Sequence, residues 1–488
     1  MKVKLGQNSV LPLGVGQILC AVVLLAGAGA AAQNPTSANN PFLGSVSAQP
    51  LTDQTIKLSL DEAISRGLQN NLGLKEAENA ERGVHAERNE ALQQFLPTVT
   101  LKLSTGLYQH NLAAQGFGPS TIAKFAALSP PPTSGTTPSF PTITRDDLSE
   151  AKVYFSQTLF SGPVIAGWRA AGAAEKSAYF AKMTARGEVI QQVATAYLHA
   201  IAASSDVDNA KALLDQDQVQ LDHAHAAHQA GVASNIDELR ARVQFQAQQQ
   251  ALLYAQNAFQ KDLILLKREI GIDPGQKIAL TDPAPYSDLA EQTPEEVRAI
   301  AYKSRQDYQN LQNEAVEYKA VHAAYRSQRL PTLAFNSYYG TSTVNGGGTH
   351  GNFAAMGTLS FPIFREAGLR GNEDASAAQM AAVNAQLADL RNHIDEQVRA
   401  ALLDVGASAK LVTVARSNVD LATRALSDET DRVNAGVDDN LPLVTAQATL
   451  SAAQNNLVES LYQYNVAKLA LARAAGVLEQ QYRDYLGR

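Results

Sequence analysis

The chain has 488 residues, of which 45% are apolar and 18% charged, with 32 Gly and 19 Pro; this excludes a disordered or a fibrous chain. The formal charge of −7 becomes −9 once a leader carrying the two cations Lys2 and Lys4 is removed, so the basic footprint of a nucleic-acid binder is absent. The only cysteine, Cys20, lies in that leader, which excludes disulfides, thiolate metal sites and cysteine nucleophiles from the mature protein.

The basic start is followed by an apolar run from Leu11 to Ala26 and by the small residues Ala28 to Ala32. This pattern predicts a secretory signal peptide over 1–32, cleaved before Gln33. No later stretch approaches the 18 uncharged apolar residues of a transmembrane helix. The exported chain is therefore either soluble outside the cytoplasm or inserted through β-strands. An extended segment over 33–56 leads into the body of the protein.

The body is duplicated. Leu96–Pro97, the run Ser156 to Ser161, Ala230–Gly231–Val232 and Arg268 to Ile272 recur in the same order. Their counterparts are Leu330–Pro331, Leu359 to Phe364, Ala435–Gly436–Val437 and Arg473 to Val477. The offset is 205 residues both from Gly231 to Gly436 and from Gly271 to Gly476. From Pro97 to Pro331 it is 234, because the first half carries a longer loop. The repeats are placed at 57–285 and 286–478, with a tail at 479–488.

Each repeat reads as a helix, two strands, a very long helix, a sharp turn and a return helix. Period-2 alternation predicts strands at about 97–108, 151–160, 332–343 and 352–361. Their apolar sets are Val99, Leu101, Leu103 and Leu107; Val153, Phe155 and Leu159; Leu333, Phe335 and Tyr339; and Phe353, Ala355, Gly357, Leu359 and Phe361. Asn345–Gly346–Gly347–Gly348 predicts a hairpin turn, and the segment holding Pro130–Pro131–Pro132, Gly135, Pro138 and Pro141 an irregular loop.

Helical hairpins are predicted over 162–271 and 364–476. As helix, the 69 residues from Gly162 to Ala230 would reach ~104 Å at 1.5 Å per residue. The pieces Lys57–Gln94, Ser234–Gly271, Thr293–Gln328 and Asp438–Ala475 are each about half as long. Val383, Leu387, Leu390, Ile394, Val398, Leu402 and Val405 trace an apolar helix face. Leu443, Leu450, Leu457, Tyr464 and Leu471 recur every seven residues, and small residues recur three positions after each, from Ala446 to Ala474. Large residues alternating with small ones at that spacing predict close knobs-into-holes packing.

Strands of about ten residues suit a tilted outer-membrane crossing. Four strands cannot close a barrel, and open edges cannot sit in lipid. Two copies would give eight strands and a filled interior; three would give twelve and a lumen.

On these landmarks the chain resembles the TolC-like outer-membrane efflux proteins, over essentially all of the mature sequence. The residues that carry the resemblance are the run from Leu58 to Ile64 opening the first helix and Leu96–Pro97 and Leu330–Pro331 entering strands. Gln157 to Gly162 leaving a strand and the turn glycines Gly231 and Gly436 complete the set. The resemblance implies a mainly α fold with a membrane β-barrel part: a homotrimeric twelve-stranded barrel in outer-membrane lipid, continued by a long periplasmic α-helical barrel. It further implies that the helical turns form a closed end, opened when a periplasmic adaptor and an inner-membrane pump dock. The implied function is a passive exit duct for drugs or other small molecules, without cofactor, nucleotide or catalysis. The alternative from another class is a non-conducting periplasmic coiled-coil scaffold or adaptor.

Family acidic positions near the turn carry over only in part. Asp237, six residues after Gly231, is either a gate carboxylate or a helix N-terminal charge favoured by the macrodipole. The second repeat has Pro442 and Thr445 at the corresponding places, with Asp438 and Asp439 nearby. His223, His225 and His228 stand beside Asp222 as either a metal site from neutral imidazoles or a solvated stripe. His199, His322 and His393 read as helix-surface residues. Tyr338, Tyr339 and Phe361 read either as an interfacial aromatic girdle or as lumen or loop residues. No Ser–His–Asp elbow, phosphate loop or zinc-protease motif occurs.

Overall fold

A computed structural model describes residues 40–487, apart from 47–49, 117, 119, 122, 125–142, 284–285 and 436–439. The leader with Cys20, the proline-rich segment, Gly436, Asp438 and Asp439 lie outside the described residues.

The chain forms two compact units, each drawing on both repeats: 1–84, 173–316 and 381–488 make one, and 85–172 and 317–380 the other. The smaller unit is built on a four-stranded antiparallel sheet of β2 (Thr98–Asn111), β3 (Ile143–Phe160), β5 (Thr332–Val344) and β6 (His350–Ser360), in the order β2-β3-β5-β6. The β5–β6 turn takes positive φ at Asn345 (50°) and Gly346 (66°), the primed-turn geometry that an Asn-Gly pair supplies without strain. β3 starts eight residues before the expected 151. The polar run Ile143 to Glu150 fails the apolar alternation test, yet its backbone pairs with β2 from Ile143 to Ser156. A bulge at Leu159 makes Phe160, not Leu159, the partner of Leu333.

Below the sheet, Phe95 meets the edge of Trp168 at 6.3 Å, with the Arg88 guanidinium 4.9 Å over that indole. Arg329 pairs with Glu366 and Glu373 at 3.2 and 2.7 Å.

The larger unit holds the main core. Its helices are α1 (Leu60–Asn70) and α5 (Pro294–Ser304), with portions of α2 (Leu72–Gln93), of α6 (Gln306–Ser327) and of the rods α3 (Gly162–Gln229) and α7 (Glu366–Asn434). The return helices α4 (Asn235–Ile270) and α8 (Asn440–Ala474), and the C-terminal α9 (Leu478–Leu486), complete it. α1 opens on Ser59 and α5 on Thr293, each accepting the amide of a Glu three residues on, as S/T-x-x-E caps do.

Lys57–Gln94 and Thr293–Gln328, expected as unbroken helices, are both interrupted 234 residues apart. Asn71 (ψ 133°) and Arg305 (ψ 122°) are extended. Tertiary bonds hold both breaks: Asn71 Nδ2 donates to Phe42 O at 2.6 Å, and Arg305 donates to Gln397 Oε1 at 2.7 Å and Ala474 O at 3.3 Å. Lys57 and Leu58, also taken as helix, belong with Ile56 to the short strand β1 (Ile56–Leu58), parallel to β4 (Ile278–Leu280). The expected tail is α9, tied down by Tyr482 Oη on Asp61 at 2.7 Å and by Arg186 on Glu479 at 2.6 Å.

Tyr197 lies wholly buried at the centre, its hydroxyl 2.9 Å from Leu58 O and 3.0 Å from Asp282 Oδ2. That same carboxylate oxygen accepts the Leu60 amide at 2.7 Å, so one acid anchors the tyrosine and the first turn of α1. Along α8, Leu443, Leu450, Tyr464 and Leu471 are buried with Ala446, Ala453, Ala467 and Ala474. The heptad face is the buried one. Near the α7–α8 turn it packs on Ala422 and Leu426 of α7.

Candidate functional site

Two places could serve transport: the strand wall and the end of the described helical hairpin. Because side chains alternate along a strand, the register fixes the composition of each sheet face. One row across the sheet is Leu101, Val153, Tyr339 and Phe353; its neighbours include Val99, Phe155, Ser337 and Ala355, then Gln157, Phe335 and Gly357, and beyond the bulge Phe160, Leu333 and Leu359. This face is mainly apolar and open: Leu101 is 62% and Phe353 75% exposed.

The rows between are polar: Lys102, Lys152, Gly340 and Asn352; Ser104, Glu150, Ser342 and His350. Lys102 and Lys152 are direct cross-strand partners, a repulsive pairing that aromatic rings and a carboxylate relieve. Lys102 Nζ lies 4.9 Å over the Tyr154 ring and Lys152 Nζ 4.9 Å over that of Tyr338. Lys152 also pairs with Glu150 at 2.5 Å, and Glu150 accepts from Ser342 at 3.2 Å. Gly340 leaves room for this arrangement, since a Cβ there would strike Ala151 O and Lys152 Cα. Tyr338 is thus on the polar face, against Tyr154 at 5.6 Å. Tyr339 is on the apolar face, and Phe361 lies just past the end of β6. Among the described residues, the outer edges of β2 and β6 have no strand partner.

At the hairpin end, α3 stops at Gly231, whose φ of +74° favours glycine. Val232 donates back to Ala227 O at 3.0 Å, the 6→1 bond that closes a helix C-terminus. Gly271 and Gly476 repeat the bond through Ile272 and Val477. Asp237 sits in a capping box with Ser234: its Oδ2 is 3.2 Å from the Ser234 amide and 2.6 Å from the hydroxyl.

Its neighbour Glu238 was not singled out by sequence. With its side chain 9% exposed, it accepts from His228 Nδ1 at 2.6 Å and His225 Nδ1 at 3.1 Å, and pairs with Arg242 at 2.8 Å. Reflection of the hairpin about its turn sets position 238 opposite 225–228, a signal that only a known turn position makes readable. His225 and His228 bond across the hairpin while their side chains stay 52% and 39% exposed, and His223 is exposed. Among the described residues no three His, Cys, Asp or Glu side chains are grouped to hold a metal ion. His199 also departs from a plain surface residue, pairing with Asp262 at 3.0 Å.

The hydrogen bonds from His228 and then His225 hold the Glu238 carboxyl below the usual glutamate range. An acid lowered on folding contributes stability that is present above its ordinary value, 4.5, and lost as pH falls through the lower folded one. Amide exchange over 225–242 is expected to accelerate, relative to the rest of α3 and α4, as pH falls below that value. The Glu238→Gln variant should show faster relative exchange at neutral pH and no such pH step.

A strand sheet with one apolar and one polar face, joined in one chain to duplicated helical hairpins, defines an outer-membrane channel subunit. The model of the family "Outer membrane efflux protein" matches residues 63–271 and 300–477, and the chain belongs to that family. It is an outer-membrane efflux channel protein with long periplasmic helices, not an enzyme. Outer membrane protein TolC of Escherichia coli K12 is 23% identical over 363 residues, 69% of this chain and 71% of that one.

Solved structures share the fold. A membrane protein from Pseudomonas aeruginosa superposes with a TM-score of 0.71 at 18% identity, covering 86% of this chain and 93% of that one. The CmeC outer membrane channel of Campylobacter jejuni gives 0.68 at 15%, covering 92% and 95%. The open-state MtrE outer membrane channel of Neisseria gonorrhoeae gives 0.68 at 17%, covering 89% and 95%.

Proposed function

We propose that three copies of this chain pool their strands into a twelve-stranded outer-membrane barrel, the exit duct of a tripartite efflux system. The observation that carries this reading is the open four-stranded sheet with opposite faces. Unpaired edges cannot rest in hydrocarbon, and twelve strands leave a lumen where eight do not. The apolar rows would meet lipid and the rows of Lys102, Lys152, Glu150 and Asn352 the water-filled lumen, with Tyr339 and Phe361 towards the lipid interface. An inner-membrane pump and a periplasmic adaptor supply energy and selection. The helical turns at Gly231 and Gly436, with Asp237, Asp438 and Asp439, form the closing end where the adaptor docks, and drugs or other small molecules pass outward.

Purification from outer membranes should yield trimers that dissociate to a slower- or faster-migrating monomer only on heating, and that conduct ions in planar bilayers. A chain that stays monomeric without detergent and shows no conductance would instead establish the scaffold reading.

A further inference from the structure

Three helices, α3, α4 and α8, line a cavity of about 300 Å³ that opens to solvent beside the exposed Ala448, Ala452 and Asn455. Its polar lining comprises Asp217 of α3, Gln244 and Gln248 of α4, and Gln447, Ser451 and Asn455 of α8. Asp217 and Gln447 are each only 3% exposed. The Asp217 carboxylate meets one side-chain donor, Gln244 Nε2, at a long 3.5 Å. Gln248 spends its amide on Ala210 O at 3.2 Å, and Gln447 Oε1 is buried without a hydrogen-bond partner.

No Lys, Arg or His lines the cavity. Burial lifts the Asp217 carboxyl to about 6, so it is ionised at neutral pH. An isolated buried carboxylate is strongly unfavourable, as is an orphaned amide oxygen. At ~30 Å³ per water the space admits an ion with part of its hydration shell. The available ligands are hard oxygens, which suit alkali and alkaline-earth cations. A single carboxylate among neutral groups balances one positive charge, whereas a divalent ion would leave a net charge buried.

We propose that this cavity binds a monovalent alkali cation, Na⁺ or K⁺, held by Asp217 and Gln447 Oε1 with the neighbouring amide and hydroxyl oxygens. The ion would join the return helix of the second hairpin to both helices of the first.

The test is thermal unfolding of the purified full-length protein in detergent, in NaCl, KCl, choline chloride or MgCl₂ at equal ionic strength. At an alkali concentration about 100 times the dissociation constant, mass-action stabilisation of the folded state raises the midpoint by a few degrees over choline. Asp217→Asn is isosteric and removes the buried charge; it should fold in choline and lose the alkali-specific rise. Gln447→Leu keeps the charge and should weaken apparent alkali affinity about tenfold, the loss of one buried polar ligand. Equal midpoints in choline and alkali salts would leave a merely water-filled cavity and overturn the proposal, as would an undiminished alkali rise in Asp217→Asn. A rise with Mg²⁺ alone would overturn the assignment to a monovalent ion.

Discussion

Val153→Arg is expected to abolish accumulation of the protein in the outer membrane, while Ser104→Arg is expected to assemble and change only conductance. Both residues stand in paired stretches of neighbouring strands, so backbone propensity does not separate them. The face does. Val153 lies in the row Leu101, Val153, Tyr339 and Phe353, whereas Ser104 stands opposite Glu150. A guanidinium on the lipid side near the membrane midplane costs ~2–4 kcal/mol. In the proposed trimer the substitution occurs three times, giving a total of about 6–12 kcal/mol, comparable with the whole stability of many domains. On the polar side the new cation gains Glu150 as a partner and remains in water. Immunoblots of outer-membrane fractions, with and without heating, check the first outcome, and single-channel recordings the second. Normal trimers from Val153→Arg would show that this face does not meet lipid.

Gly476→Ala carries the second large effect, and Gly231→Ala is its control. The two glycines have almost the same backbone, φ +75° and +74°, so each Ala meets a left-handed strain of about 1 kcal/mol. Their surroundings differ. A Cβ at Gly231 has nothing within 4 Å, whereas one at Gly476 would lie 2.6 Å from Arg305 N and 2.7 Å from Arg305 Cα. Those are backbone atoms at the break between α5 and α6, fixed in turn by the Arg305 contacts with Gln397 and Ala474, so they cannot swing aside. Gly476→Ala should therefore cost on the order of 3–4 kcal/mol, against about 1 kcal/mol for Gly231→Ala. Thermal unfolding of both purified variants measures the difference; equal midpoints would mean that the α5–α6 junction yields.

Features that depend on periodicity and on backbone chemistry within a few residues were legible from sequence. The strand pairs, the Asn345–Gly346 turn, the rods ending at Gly231 and the heptad face of α8 all follow from such patterns. The mutual register that sorts Tyr338 from Tyr339 was half legible: alternation says that adjacent residues face opposite ways, and only pairing says which neighbours each one meets. The polar start of β3 was not legible, because its residues carry no apolar alternation and gain their strand conformation from β2.

The sequence by itself determined the duplication, the type and order of the long elements and the two-faced strands, because those follow from spacings of two, three to four and seven residues. Tertiary structure alone decided the breaks at Asn71 and Arg305, held by Phe42, Gln397 and Ala474 from far along the chain. It likewise decided the capture of Glu238 by His225 and His228, and the joining of Asp217 with Gln447 around one cavity. These arrangements bring together polar groups from different helices or distant parts of the chain. No local pattern encodes such pairings, since each group meets its partner only after the chain has folded.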